Sequence, residues 1–521
     1  MHASSTPTCC LIKFGVITLG RSIKHCLAAT ACACLVAAVP MPAYAAQANL
    51  SRDDILWLGR ITYGVDSASA AHLREIGRAG FLDEQLTARD DRLPAPIQAQ
   101  IDAMPISTRP AAGLLADEIA EQKRLRAASD DPDAKTAARQ ARNEDGNAFL
   151  RDAMRRHLLR AVYSPAQLKE QMDWFWLNHF SVFARKGAIR WLAADYDERA
   201  IRPHALGKFR DLVMATLTHP AMLQYLDNAR NARGQINENY ARELMELHTL
   251  GVDGGYTQHD VQELARILTG VSVFVKAERP GRRMLQSDGL YAFYPARHDF
   301  GDKQLLGQTI KGRGFAEVEE AVALLVRQPA CARFISHKLA QYLVADEPPA
   351  TLVAAMSQTF QRSDGDIAAV LRTLFESREF AASLGGKFKD PMHYVVSSVR
   401  LACDRGAIAD ERPLLGWLGT QGETLFGHQS PDGYALVESA WASSGQMTRR
   451  FETARAIGGN YANVLACSGD TKGDTPRLDG ALYALALKPY LAAATRETLE
   501  QATSAREWNA VLLASPEWNY R

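Results

Sequence analysis

Residues Asn237–Gly270 read NENYARELMELHTLGVDGGYTQHDVQELARILTG. Apolar side chains recur at intervals of three and four on both sides of a glycine turn, which is the period of two amphipathic helices and not of a strand. Thr257 stands where an N-cap is needed for the second helix. At about 100° per residue, Asn239, Glu243 and Glu246 project along one line of the first helix, with Glu238, Arg242 and Thr249 beside it. Tyr240, Leu244 and Leu247 lie on the other side and His248 at its margin. The helix thus presents two carboxylates one turn apart. Closely spaced carboxylates push one pKa up and keep the other group charged, which supplies a general acid and a base or nucleophile. Arg242 is placed to orient one of them bidentately. The same residues, Glu238→Arg242→Glu246, also spell an i, i+4 ladder of the kind found on solvent faces. Glu246 and His248 are two apart, and Glu243 and His248 five. Neither matches the Glu-x-x-His spacing of di-metal bundles, so this helix predicts no metal site.

The same period runs outward through Ala70–Leu86, Phe149–Val162, Gln167–Phe183, Phe209–Leu226, Val318–Val326, Ala332–Val344, Leu352–Phe360, Ile367–Phe375 and His393–Leu401. Pro165, Pro203, Pro220, Pro329 and Pro391 mark helix edges. The expected fold is mainly α, a compact multi-helix domain with a small β-hairpin insertion. Two stretches depart from the pattern. Residues 127–147 are polar and charged and read as an exposed connection. Residues 276–314 are rich in Gly, Arg and aromatics, and Leu290–Tyr294 with Gln304–Ile310 predict a hairpin there. The organisation expected is a signal peptide over 1–45, then an N-terminal helical region over 46–148 with its charged connection. A central region over 149–275 carries the candidate site, followed by an irregular or β insertion over 276–316. A C-terminal helical region over 317–521 packs on the same core.

The chain has 521 residues, with 60 Lys+Arg against 59 Asp+Glu. Lys13, Arg21 and Lys24 precede an apolar run, Cys26–Val39, which is followed by Ala43-Tyr44-Ala45. That order is the pattern of a secretory signal peptide, with cleavage expected after Ala45 and a periplasmic or secreted product. Without those three cations the balance is slightly acidic, which excludes the basic excess of a nucleic-acid-binding protein. No later run is long and apolar enough to predict a membrane span. Beyond the leader only Cys331, Cys403 and Cys467 remain, too few for a disulfide framework. Cys331 sits in an apolar helical pattern and reads as a small core residue.

Phosphate-loop, dinucleotide, zincin, C-x-x-C and nucleophile-elbow motifs are absent beyond the leader, which leaves local charge clusters to carry any chemistry. Residues 174–272 concentrate them. Trp174, Trp176, Asn178 and His179 suit an aromatic-walled pocket that stacks on sugar faces, with Tyr240 adding to it. They equally suit a buried aromatic helix. Asp195 with Arg199, Arg202 and His204, then His219, Asp227 and Asn228, follow. His298 and Asp299 form a pair in the irregular stretch.

Several motifs appear in order along the chain. They are Trp176–Phe180 (WLNHF), Asp195–Ala205 (DYDERAIRPHA), His219–Asn228 (HPAMLQYLDN), Asn237–Thr257, Ala265–Gly270 (ARILTG), His298–Lys303 (HDFGDK), Phe360–Asp366 (FQRSDGD) and Pro431–Tyr434 (PDGY). In this the sequence resembles the bacterial family called domain of unknown function 1800, over nearly all of residues 50–460. It departs from the family at Val271, where a Trp is usual after Thr-Gly. The resemblance implies an exported, mostly helical protein and no established reaction. It also implies a co-exported partner that looks like alkaline phosphatases and sulfatases. It puts Asn237, Glu238, Asn239, Arg242, Glu243, Glu246 and His248 in one motif, which favours a site over a solvent ladder.

The expected function is an exported hydrolase on an envelope or extracellular polymer, in its specific form a glycoside hydrolase using paired carboxylates and working without a cofactor. Its catalytic candidates are Glu243, Glu246, Asp195 and His248. Trp176, His179, His204, Asp227, Asn228, Asn237, Glu238, Asn239, Tyr240, Arg242, His298 and Asp299 would bind an oligomeric or polymeric carbohydrate. Two alternatives stand: a non-catalytic periplasmic binding or assembly factor, and a metal or haem oxidoreductase using His179, His204, His248 or His298.

Overall fold

Helix starts in this chain are written in short polar side chains. Ser51 accepts from the Asp54 N–H while the Asp54 carboxylate takes the Ser51 N–H, a reciprocal capping box that opens Arg52–Ile61. Asp66 caps Ser67–Thr87, and Thr257 with Asp260 repeats the capping box at Gln258–Ile267. Pro220, Pro329 and Pro391 each occupy the first turn of a helix, where a missing N–H costs nothing.

The computed structural model describes residues 50–521 except 89, 128–131, 275–284, 288–289, 405, 409, 461–464 and 467–474. The signal region and Cys467 lie outside the described residues. The protein is mainly helical, with small antiparallel β-structures. Residues Ala48–Arg521 form one unit built on one large apolar core. Among the described residues no helix is long and apolar enough to cross a membrane.

Helix Gln167–His179 lies within that core, and every residue of it except Lys169 is buried. A helix this thoroughly covered has neighbours on all sides. The long helix Pro132–Tyr163 is one of them. It also corrects the sequence reading of 127–147: most of that charged stretch is the exposed first half of a continuous helix, a polar face of which needs no core.

The expected hairpin is replaced by two sheets. Strand β1 (Val271–Val273) and strand β2 (Leu285–Ser287) flank β3 (Tyr291–Phe293) in antiparallel register. Strand β4 (Lys303–Leu305) pairs with β5 (Gln308–Ile310) across the turn Leu306-Gly307. Both predicted segments therefore supply strands, but each pairs locally and not with the other. Cys331 and Cys403 are buried free thiols.

Candidate functional site

The motif helix is not regular. It runs as α-helix from Asn239 to Glu243 and widens to a π-helix over Leu244–Thr249. The Thr249 hydroxyl donates to the Leu244 carbonyl at 2.6 Å, and the Leu250 N–H reaches back five residues to Met245 at 2.8 Å. A π turn inserts a residue and changes which side chains share a face, and such turns concentrate at functional sites. The effect divides the charged line. Glu238, Arg242 and Gln258 form a surface knot, with Arg242 donating to Glu238 at 3.2 Å and to Gln258 at 2.9 Å. Glu246 leaves the ladder and accepts from the Tyr256 hydroxyl at 3.4 Å.

Glu243 is half-buried, and its carboxyl is pushed above the usual range by loss of solvent. The Glu246 charge pushes the same way, Arg242 opposes it, and Asp432 adds a further push. Asp432 is the residue the sequence reading passed over. It belongs to Pro431-Asp432-Gly433-Tyr434, quoted as a motif but given no role. Asn178 of the buried helix accepts from the Tyr434 N–H at 2.6 Å and donates to the Tyr434 carbonyl at 2.9 Å. The Tyr434 ring lies nearly parallel to Trp174 at 6.5 Å. Gly433 has φ +74°, and a Cβ there would sit 2.2 Å from the Asn178 carbonyl oxygen. Only glycine allows this approach. Tyr225 completes the group: burial, then the Asp432 and Glu243 charges, push its phenol up.

Lys338, on helix Pro329–Leu343, was also missed. Its ammonium lies 5.7 Å from the centre of the Phe334 ring. Loss of solvent pulls its pKa down to about 8, against the attraction of Asp432. Burial first, and the Lys338 charge second, depress two histidines. His248 is fully buried, with neither ring nitrogen hydrogen-bonded, and burial followed by Lys338 holds it at about 3. His179 donates from Nε2 to the His248 carbonyl at 3.1 Å, and the two rings are 6.1 Å apart. His248 therefore sits in the core and not at the helix margin, because the π turn rotates it inward.

The other expected residues mostly lock the fold. Trp176 and Tyr240 are almost wholly buried, as is Trp174, so none of them offers a face to a sugar. The Trp176 indole donates to the Ala205 carbonyl at 3.0 Å. Asp195 accepts from His219 Nε2 at 2.9 Å, while His219 Nδ1 accepts the Ala221 N–H. His204 is partly buried, and burial lowers its pKa. Asp227 takes a left-handed conformation and pairs with Lys186 at 2.9 Å. Buried Asn228 donates to the Leu268 and Val271 carbonyls. Asn237 accepts the Asn239 N–H at the helix start, and the Asn239 side chain donates to the Leu226 carbonyl. His298 bridges the Thr269 carbonyl and Glu317 at 2.8 and 3.0 Å. Asp299 binds Arg266 through two nitrogens, which holds its carboxyl down at about 2. The ARILTG and HDFGDK motifs are thus two halves of one joint.

Comparison with known families accords with the motifs quoted from the sequence. A family model described as a protein of unknown function, DUF1800, matches residues 56–520. The chain belongs to the DUF1800 family. No curated protein and no solved structure matches it. As a DUF1800 member it carries its distinguishing motifs in two groups, those that build joints and those that place Glu243, Glu246 and Asp432 together. Among the described residues, one group of three has ligand atoms close enough to share a metal ion: His157, Asp173 and Asp197. None of the four histidines expected to serve redox chemistry belongs to it.

Proposed function

We propose that this DUF1800 protein is an exported hydrolase that cleaves an envelope or extracellular polymer, with a glycosidic bond as the scissile linkage. The observation that supports the reading is the Glu243 carboxyl, raised by burial and by the neighbouring charges of Glu246 and Asp432. A carboxyl whose pKa is raised is the kind that protonation of a leaving oxygen favours. Glu243 is the proton donor in this scheme. Asp432 or Glu246 supplies the second carboxylate, as base toward water or as nucleophile. The site lies partly open to solvent, with Glu246 and Asp432 exposed enough for a chain to reach them. Lys338 is a cation attracted by Asp432.

The test is reducing-end release from a panel of envelope and extracellular glycans by the wild-type protein, with Glu243→Gln, Glu246→Gln and Asp432→Asn beside it. Loss of release in Glu243→Gln supports the assignment. Full activity in all three variants removes the carboxylate group from the mechanism.

A further inference from the structure

We propose that His157, Asp173 and Asp197 hold a divalent metal ion of the zinc class, as a buried staple between three helical segments. His157 comes from Pro132–Tyr163, Asp173 from Gln167–His179, and Asp197 from the π turn Tyr196–Ile201. All three are about 98% buried or more, and one potential ligand atom from each lies within 4.8 Å of the other two.

The distances favour co-ligands over hydrogen-bond partners. His157 Nδ1 is 3.5 Å from Asp173 Oδ2 and 3.4 Å from Asp197 Oδ2. A charge-assisted N–H···O bond is shorter, about 2.7–2.9 Å. Two ligands of one tetrahedral ion, each about 2.1 Å from it, stand about 3.4 Å apart. Both distances from His157 thus match the edge of such a polyhedron, and the two carboxylates lie within 4.8 Å of each other.

The remaining lone pairs point the same way. Asp173 faces the Asp197 carboxylate, an acceptor like itself, and finds no N–H or hydroxyl donor, and Asp197 Oδ1 and His157 Nε2 have no hydrogen-bond partner. Buried carboxylates without partners are costly, and natural structures answer them with hydrogen bonds or ions. The nearby guanidiniums make their hydrogen bonds to other groups, although Arg156 Nε has none. Arg202 donates to Glu170 at 2.7 Å and to Asp91 at 3.3 Å, and Arg156 donates to the Ala194 carbonyl and pairs with Glu198 at 3.4 Å. One imidazole and two carboxylates suit zinc or manganese better than a hard alkaline-earth ion. With all three ligands under the surface, no polymer reaches the metal, so its role is to fix the π turn against the two helices.

The test uses the full mature chain, stripped with a chelator and returned to zinc, manganese or cobalt(II) chloride. Elemental analysis of the purified protein should give close to one metal per chain. Adding zinc or manganese to the stripped protein should raise Tm by several degrees. The cobalt form should show the strong visible bands of a four-coordinate site. Asp173→Asn and His157→Gln should each lower metal content. If the stripped wild-type protein takes up none of the three metals and its Tm does not move, the proposal is overturned. Uptake that persists undiminished in a folded Asp173→Asn, His157→Gln double variant overturns it as well. Both readouts are independent of any hydrolytic activity.

Discussion

Asn178 holds Tyr434 by both of its backbone groups, the amide accepting from N–H at 2.6 Å and donating to C=O at 2.9 Å. This one side chain ties a loop from late in the chain to the core helix and delivers Asp432 to Glu243. Truncating Asn178 to Ala leaves a backbone donor and acceptor unpaired in a part-buried place, a cost of about 1–3 kcal/mol. Gly433→Ala should cost more, because its Cβ meets backbone and not a side chain that can swing away. Urea unfolding of both variants checks the order. An Asn178→Ala midpoint equal to wild type would show that the loop is held by other contacts.

Lys338 titrates below its ordinary range, at about 8 instead of 10.5. The unfolded chain then binds more protons than the folded one between pH 8 and 10.5. Stability from this residue rises with pH across that window and is lowest below pH 8. Lys338→Met should stabilise the protein at pH 7, on the order of 1–2 kcal/mol after allowance for partial exposure. It should also flatten the alkaline rise. Thermal unfolding at several pH values between 7 and 10.5 measures both effects, and an unchanged slope in the variant would contradict the assignment.

His248 gives the opposite end of the profile. Its folded pKa is about 3 against 6.5 for the free side chain. The unfolded chain gains a proton first as pH falls from 6.5 toward 3, so the folded state is penalised progressively across that interval and not above it. The penalty is on the order of 5 kcal/mol at the acid end. His248→Leu keeps a similar volume and removes two nitrogens that have no partner, so it should remove this acid sensitivity and leave the neutral-pH fold intact. Circular dichroism melts between pH 4 and 7 provide the comparison, with wild type and variant expected to diverge only toward the acid side.

Helix periodicity and capping residues were legible because they are local. Thr257 and Asp260 make the capping box that their spacing announces, and the apolar helices fall where threes and fours recur. What the chain concealed was non-local or irregular. A fixed 100° step sends Glu246 along the Arg242 ladder and His248 to the margin. The π turn sends Glu246 to Tyr256 and His248 inward, and nothing in LMELHT announces that step. Trp174 and Trp176 show the ambiguity of composition: the same aromatic run that could wall a pocket packs a core, and burial decides. Asp432 and Lys338 were hidden for a simpler reason. Each stands far along the chain from Glu243, and only the Asn178–Tyr434 clasp and the packing of Pro329–Leu343 bring them near.

Glu243→Gln separates the structural from the chemical role of the carboxylate group. In the fold, burial and then Glu246 push the Glu243 pKa upward. An acid raised in the folded state loses stability as pH climbs through its unfolded value, because the unfolded chain gives up its proton first. The glutamine keeps the shape and removes the charge conflict with Glu246 and Asp432, so the variant should melt at a higher temperature than wild type near pH 7. It also has no proton to give, so cleavage of an unactivated glycan should fall by about 10²–10⁴-fold, the usual contribution of a general acid. A substrate whose leaving group needs no protonation, such as an aryl glycoside with an acidic phenol, should recover much of that loss. Glu246→Gln should relieve the same repulsion but should not show this dependence on the leaving group. A higher Tm together with activity recovered only on the activated substrate identifies Glu243 as the proton donor. A lower Tm, or equal loss on both substrates, would mean that the carboxylate holds the motif helix in place and takes no part in protonating the leaving oxygen.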